Sequence, residues 1–346
     1  MVAALCKEVV LQKDYLHTEE ITSIYFGGGT PSLLTVDECS LLLHTLHQGF
    51  KVRTDAEITL EANPDDITVE KLRGWKAAGI NRLSIGVQSF VEAELTWMNR
   101  AHNHNQAVES LGLATAHFDN ITLDLIYGSP LLTNEMWQEN VYKALELRIP
   151  HLSCYALTVE EKTPLHKHIK LKQKQAVDED KQAGQFLALM DWMRTAGYEH
   201  YEISNFAKPG YRSKHNSSYW KGTKYLGIGP SAHSYNGTNR QWNVANNRQY
   251  IDAIQLNLVP AEMETLSATD RLNEYIMISL RTREGINLRY IEDGWGREIK
   301  QTISNGVVPY LSRGLLKPTL TGVQLTDKGM VMADGIAAQL FNTQGS

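Results

Sequence analysis

Residues 26–32 read FGGGTPS, after ITSIY and before LLTVDECSLLLHTL. Glycines at a strand-to-helix turn either let main-chain N–H groups approach a ligand or serve a tight turn with no ligand. The run is not GxGxxG, and it is not a Walker A loop, because no Gly-Lys-Ser/Thr follows. Glu61 ends EITLE and can hold an ammonium or ribose hydroxyls, or it is a surface acid before a turn. Gln88 follows an apolar run in GVQSF. Asp124 sits inside ITLDLIYG with apolar neighbours, so its carboxylate must be paired or hydrogen-bonded, in a structural ion pair or in a site. Arg100, in MNRAHN, is a partner for Asp124 or a planar fork for a ligand carboxylate. Bare amides, an arginine and carboxylates suit a zwitterionic amino acid that also carries a ribose. No nucleophile–base dyad of known spacing accompanies them, which points to chemistry brought by a cofactor.

A second constellation is HNSSYW, His215 to Trp220. Histidine is a good axial ligand for heme iron, and aromatic rings stack on a porphyrin. A loop histidine fixed by hydrogen bonds is the plainer alternative, and His102, His104 and His233 are rivals with less context.

These residues need elements to bring them together. Apolar positions at helical spacing run over 2–16, followed by a strand at 21–26. Thr35 and Glu38 form a T-x-x-E capping box that opens a helix to about residue 48. Strands are expected at 57–62, 81–88, 120–128, 151–157 and 198–204. Helices are expected at 67–79, over 91–117 in two pieces, at 136–147 and at 178–196. Strands alternating with helices mean parallel βαβ units. Six of them fit a partial TIM-like (β/α)6 barrel, with a doubly wound sheet as competitor. The barrel is favoured because Gly28 to Thr30, Glu61, Gln88 and Asp124 lie at or near strand C-termini, which share one rim in a barrel. The expected organisation is therefore an α/β barrel over 1–205, a loop-rich region over 206–264 holding HNSSYW, and a small, mostly helical, winged-helix-like domain over 265–346.

The totals bound the partners. Net charge is −5 and the isoelectric point about 6.2, so no electrostatic argument favours nucleic acid or an anionic membrane. No apolar run reaches the roughly 18 residues of a membrane span, which leaves only peripheral membrane contact open. The N-terminus lacks the order of a signal peptide, and a cytoplasmic protein is expected. Cys6, Cys39 and Cys154 are far apart and read as buried small hydrophobes, so no metal site is expected from thiolates of this chain.

YFGGGTPS, ITLEANP, INRLSIGVQSF, MNRAH and DLIYGSP occur in this order, and the series resembles the radical S-adenosylmethionine (radical SAM) proteins of the oxygen-independent coproporphyrinogen III oxidase group. HNSSYW fits the HNxxYW pattern of that group's heme-chaperone branch. The resemblance covers nearly the whole chain. It implies that Gly28, Gly29 and Thr30 meet the methionine end of S-adenosylmethionine, that Glu61, Gln88, Arg100 and Asp124 line the rest of its site, and that Ala156 approaches the adenine. It implies His215 as the heme ligand, with Tyr219 and Trp220 alongside, and heme and heme-acceptor proteins as partners. The family's CxxxCxxC motif, which holds a [4Fe–4S] cluster, is absent from the sequence. It is expected in a strand and loop preceding residue 1, without which the chain should neither assemble the cluster nor cleave S-adenosylmethionine reductively. Two rival roles remain: coproporphyrinogen III oxidation, and partner docking by the C-terminal domain.

Overall fold

Strands form in this chain where aliphatic and polar residues alternate, so that each strand has one apolar and one polar face. The computed structural model describes residues 1–17 and 20–342; residues 18–19 and 343–346, which fall within the expected spans 1–205 and 265–346, lie outside the described residues. After helix α1 (Val2–Leu11) come β1 (Ile21–Phe26), α2 (Val36–Gly49), β2 (Val52–Ala62), α3 (Val69–Ala78) and β3 (Arg82–Gln88). Then follow α4 (Glu92–Trp97), α5 (His104–Thr115), β4 (Ile121–Tyr127), α6 (Asn134–Glu146) and β5 (His151–Ala156). The unit closes with α7 (Pro164–Lys170), α8 (Glu179–Thr195), β6 (Glu199–Glu202) and β7 (Asn205–Ala207). The seven strands form one sheet in the order β1-β2-β3-β4-β5-β7-β6, curled into a half-barrel.

Ile58, Leu60 and Ala62 of β2, Leu83, Ile85 and Val87 of β3, and Ile121, Leu123 and Leu125 of β4 share the outer face. They form one core with Trp75, Trp137, Leu111 and Phe186 from the helix layer. By the same alternation Glu57, Thr59 and Glu61, Arg82, Ser84 and Gln88, Thr122 and Asp124, and His151, Ser153 and Tyr155 take the inner face. Because β1 to β5 are mutually parallel, their C-terminal ends lie on one rim.

Three details differ from the sequence reading. Strand β2 begins at Val52 rather than at residue 57, because its exposed, charged start still pairs with β1, through Ile21 and Val52. Of the expected strand 198–204 only Glu199–Glu202 is strand, β6, and it is one arm of a hairpin whose other arm, β7, runs antiparallel between β5 and β6; the buried Phe206 and Ala207 hold it there. HNSSYW is not a loop: it lies in α9 (Lys214–Trp220), whose N-terminus is capped by the Ser213 hydroxyl accepting from the Asn216 N–H at 3.1 Å.

Beyond α9, β8 (His233–Tyr235), β9 (Asn239–Asn243) and, after α10 (Asn247–Gln255), β10 (Ala261–Thr265) form a small antiparallel sheet. The buried Glu8 of α1 ties it to the barrel unit, accepting from Asn243 Nδ2 at 2.7 Å, from the Gly229 N–H at 2.8 Å and from the Tyr250 hydroxyl. The last part runs α11 (Ala268–Leu280), β11 (Ile286–Asn287), α12 (Leu288–Trp295), α13 (Arg297–Ser312), β12 (Leu316–Pro318), β13 (Gly322–Leu325), α14 (Asp327–Met330) and α15 (Ala333–Leu340). A three-stranded sheet, β11-β13-β12, packs with the helices around its own apolar core, in the mostly helical, winged arrangement expected.

Candidate functional site

The glycines after β1 have different reasons to be glycine. A Cβ on Gly27 would lie 2.6 Å from the Tyr25 ring and 3.1 Å from Glu61 Oε1, so that position is kept bare for packing. Gly28 and Gly29 have φ of +73° and +58° and open space where a Cβ would stand. Their conformation is one that side-chain-bearing residues adopt at a cost, and it leaves bare main chain facing an opening.

Glu61, one residue before the end of β2, reaches this turn. Its Oε2 accepts from the Gly28 N–H at 3.2 Å and its Oε1 from the Tyr25 hydroxyl at 2.7 Å. Asp124 stands on the same inner face, with the Ser84 hydroxyl 3.3 Å from its Oδ2. Desolvation, and next the charge of Glu61, push the Asp124 carboxyl up to about 7, against smaller opposing effects of the Ser153 hydroxyl, Arg82 and the Ser84 hydroxyl. Two carboxyl groups thus share the inner face, where the Arg82 charge does not offset burial at Asp124, an arrangement suited to a ligand that brings its own ammonium or hydroxyl groups.

Arg100 does not pair with Asp124 directly. Its Nη2 donates to Asn63 Oδ1 and to the Gly86 carbonyl, both at 2.9 Å, while its buried Nε has no partner among the described residues. Gln88 takes φ +70° at the end of β3, and its amide nitrogen would stand 3.0 Å from a Cβ on Gly86. The structure therefore gathers Gly28, Gly29, Glu61, Gln88, Arg100 and Asp124 at one rim. Thr30 follows in the turn, before a short 3-10 helix at Pro31–Leu33. Ala156 ends β5 at the same rim, but its side chain packs outward against the helix-side core, so only its main chain faces this opening.

Beneath the rim lies a polar floor. Arg82, 1% exposed, donates to the Thr122 hydroxyl; Thr122 contacts His151 Nδ1 at 3.1 Å, and His151 Nε2 contacts the Tyr201 hydroxyl at 2.7 Å. Burial, followed by the Arg82 charge, holds the His151 imidazole neutral. Glu57 Oε2 is 3.8 Å from Arg82 Nε. The Glu57 carboxylate also accepts from the Ser213 hydroxyl at 3.1 Å and from the N–H groups of Lys214 at 2.9 Å and His215 at 3.0 Å. The floor thereby docks α9 into the half-barrel.

That docking puts His215 on the inner face, not on a free loop. Its Nδ1 contacts the Ser23 hydroxyl at 3.0 Å, and its ring stacks on Tyr25 with centroids 4.6 Å apart and planes at 17°. Tyr219 meets it edge-on at 5.1 Å. Trp220 ends the helix and makes no ring contact with His215 among the described residues. Burial lowers the His215 imidazole to about 4, against the smaller effect of Glu57, so it is neutral at physiological pH, the form that ligates a metal. When Nδ1 carries the proton and donates to Ser23, Nε2 offers its lone pair.

The cysteines do not fit a cluster. Cys39 and Cys154 are buried in the core on the helix side of the sheet, Cys6 lies on α1, and burial raises the Cys39 thiol to about 11 and the Cys154 thiol further still. Among the described residues no three His, Cys, Asp or Glu side chains are grouped to hold a metal ion, and no helix is long and apolar enough to cross a membrane.

Asp124 gives the site a pH signature. A carboxyl raised from 3.8 to about 7 binds more protons folded than unfolded between those values, so its contribution to stability is full below about 4 and lost as pH rises through 7. Thermal denaturation at pH 5 and pH 8 should show a smaller fall for Asp124→Asn than for the native sequence. Equal falls would place Asp124 in a compensated ion pair.

Comparison with known proteins shows the family and the fold. The Radical SAM superfamily model matches residues 5–142, and the HemN C-terminal domain model residues 266–332. Heme chaperone HemW of Lactococcus lactis subsp. lactis is 33% identical over 323 residues, 92% of this chain and 84% of that protein. Heme chaperone HemW of Mycobacterium tuberculosis is 31% identical over 340 residues, 98% of this chain and 85% of that protein. The solved structure of coproporphyrinogen III oxidase (HemN) from Escherichia coli, a radical SAM enzyme, aligns with a TM-score of 0.82 over 98% of this chain and 82% of its own; at 24% identity this shows the fold.

Proposed function

The chain belongs to the HemW-type radical SAM proteins, and from that membership we propose that it is a heme chaperone: it binds heme through His215, binds S-adenosylmethionine at the rim, and delivers heme to acceptor proteins in the cytoplasm. The observation that carries the reading is the setting of His215. A neutral imidazole with Nδ1 on Ser23, stacked on Tyr25 and met edge-on by Tyr219, keeps Nε2 without a hydrogen-bond partner among the described residues and so available to iron. Tyr219, 41% exposed, extends the aromatic surface toward solvent, where a porphyrin can enter and leave.

At the rim each residue has a task. The N–H groups of Gly29 and Thr30 receive the amino-acid carboxylate, Glu61, which already holds the Gly28 N–H, and Asp124 accept from the ammonium and ribose hydroxyls, and the unsatisfied Arg100 Nε supplies a further donor. The main chain at Ala156 borders the adenine end. S-adenosylmethionine contributes a sulfonium-activated adenosyl group when bound. A [4Fe–4S] cluster, which the family implies, does not fit the cysteines of this sequence.

Hemin titration followed in the Soret region tests the heme half. His215→Ala should weaken binding at least about tenfold, the loss of roughly 1.4 kcal/mol or more of ligation. Spectra and affinities indistinguishable from the native protein would remove His215 from the site.

A further inference from the structure

Resting on both halves of that reading, we propose that the heme histidine and the S-adenosylmethionine cradle are one coupled unit, with Tyr25 the positioning residue between them. Ser23 and Tyr25 stand two residues apart on β1, on its inner face. His215 spans both, its Nδ1 on Ser23 and its ring flat on Tyr25. Tyr25 in turn donates its hydroxyl to Glu61 Oε1 at 2.7 Å, and the other oxygen of that carboxylate holds the Gly28 N–H. The chain of contacts from the heme ligand to the bare amides is thus His215, Tyr25, Glu61, Gly28, without a gap. Gly27 completes it: any larger residue would meet the Tyr25 ring, so the turn that shapes the cradle also makes room for the ring that supports the histidine.

The physical consequence follows from what each contact can do. A carboxylate has about four lone-pair sites, and Glu61 uses two of them on the protein, one through each oxygen. An ammonium or ribose hydroxyl can join without displacing Tyr25. A ligand that fixes the Glu61 rotamer then fixes the Tyr25 hydroxyl and its ring plane. His215 is held on two sides by β1, so its imidazole is ordered before iron arrives, and the ordering cost falls on the first ligand alone. Coupling of this kind is reciprocal: S-adenosylmethionine tightens heme, and heme tightens S-adenosylmethionine by the same factor. Delivery is then governed at the rim, because loss of the adenosyl ligand loosens the grip on heme.

Tyr25→Phe is the discriminating variant. It keeps the ring that stacks on His215 and the packing over Gly27, and removes only the bond to Glu61. Hemin titrations with and without saturating S-adenosylmethionine should show affinity tightened about fivefold or more in the native chain, and no such change in Tyr25→Phe, whatever the separate affinities of that variant for the two ligands. In heme-free protein, S-adenosylmethionine should shift the imidazole ¹⁵N signals of His215 in the native chain and leave them unmoved in the variant. Equal sensitivity in the two proteins overturns the coupling, as does a native chain that binds both ligands with no effect of one on the other. A native chain that binds no S-adenosylmethionine, or whose hemin binding is untouched by His215→Ala, sinks the functional reading itself.

Discussion

Glu57→Ala should lower the free energy of unfolding by about 3–5 kcal/mol, read as a large fall in the urea midpoint. Glu57 is 5% exposed and faces Arg82, which is 1% exposed. Removing the carboxylate strands a buried guanidinium whose Nε already lacks a hydrogen-bond partner. It also takes the acceptor from the Lys214 and His215 N–H groups and from the Ser213 hydroxyl, so the first turn of α9 loses its anchor in the half-barrel. Glu57→Gln keeps an acceptor but not the charge, and should fall between. Adding Arg82→Met to Glu57→Ala should recover part of the loss, since the uncompensated charge is then gone. A loss below about 1 kcal/mol for Glu57→Ala would mean that this floor does not hold the helix.

How much of this was legible in the residues differs by region. The helix-layer core followed from helical spacing and caps: the Thr35–Glu38 capping box is present as expected, and α2 starts with it. The rim also followed, because parallel strands place their C-terminal ends together whatever the closure of the barrel. The floor did not. Arg82, Thr122 and His151 alternate with aliphatic residues along their strands just as Ser84, Asp124 and Ser153 do. Parallel strands covered on both faces more often read as continuous apolar runs. That alternation was the available signal for a polar inner face, and it would have pointed to Glu57 and Tyr25 as well. The location of His215 depended on a contact over 158 residues of chain, between the Glu57 carboxylate and the His215 N–H, which no local pattern carries. HNSSYW read as a loop because its residues favour caps and turns. In the fold, Ser213 caps the helix and Glu57 satisfies the remaining N–H groups, and tertiary contact overrides weak propensity. The hairpin of β6 and β7 was hidden because Ile203 and Ser204, which turn between the two strands, continue the apparent pattern of β6, and β7 is only three residues long.

Valine at position 28 should remove most S-adenosylmethionine affinity while leaving the fold intact. The φ of +73° at Gly28 is one that a β-branched residue occupies only at a cost of order 1–3 kcal/mol, so the turn relaxes and its N–H leaves Glu61. The surrounding space is open, so no core contact is lost with it. Relaxation withdraws the bare amides and frees Glu61 to rotate, which takes away donors and acceptors together. Calorimetric titration of S-adenosylmethionine into the native chain and Gly28→Val tests the convergence of these scattered segments most directly. The account predicts saturable one-to-one binding to the native protein and at least about tenfold weaker binding to the variant, a change of 1.4 kcal/mol or more; equal affinity in both would contradict it.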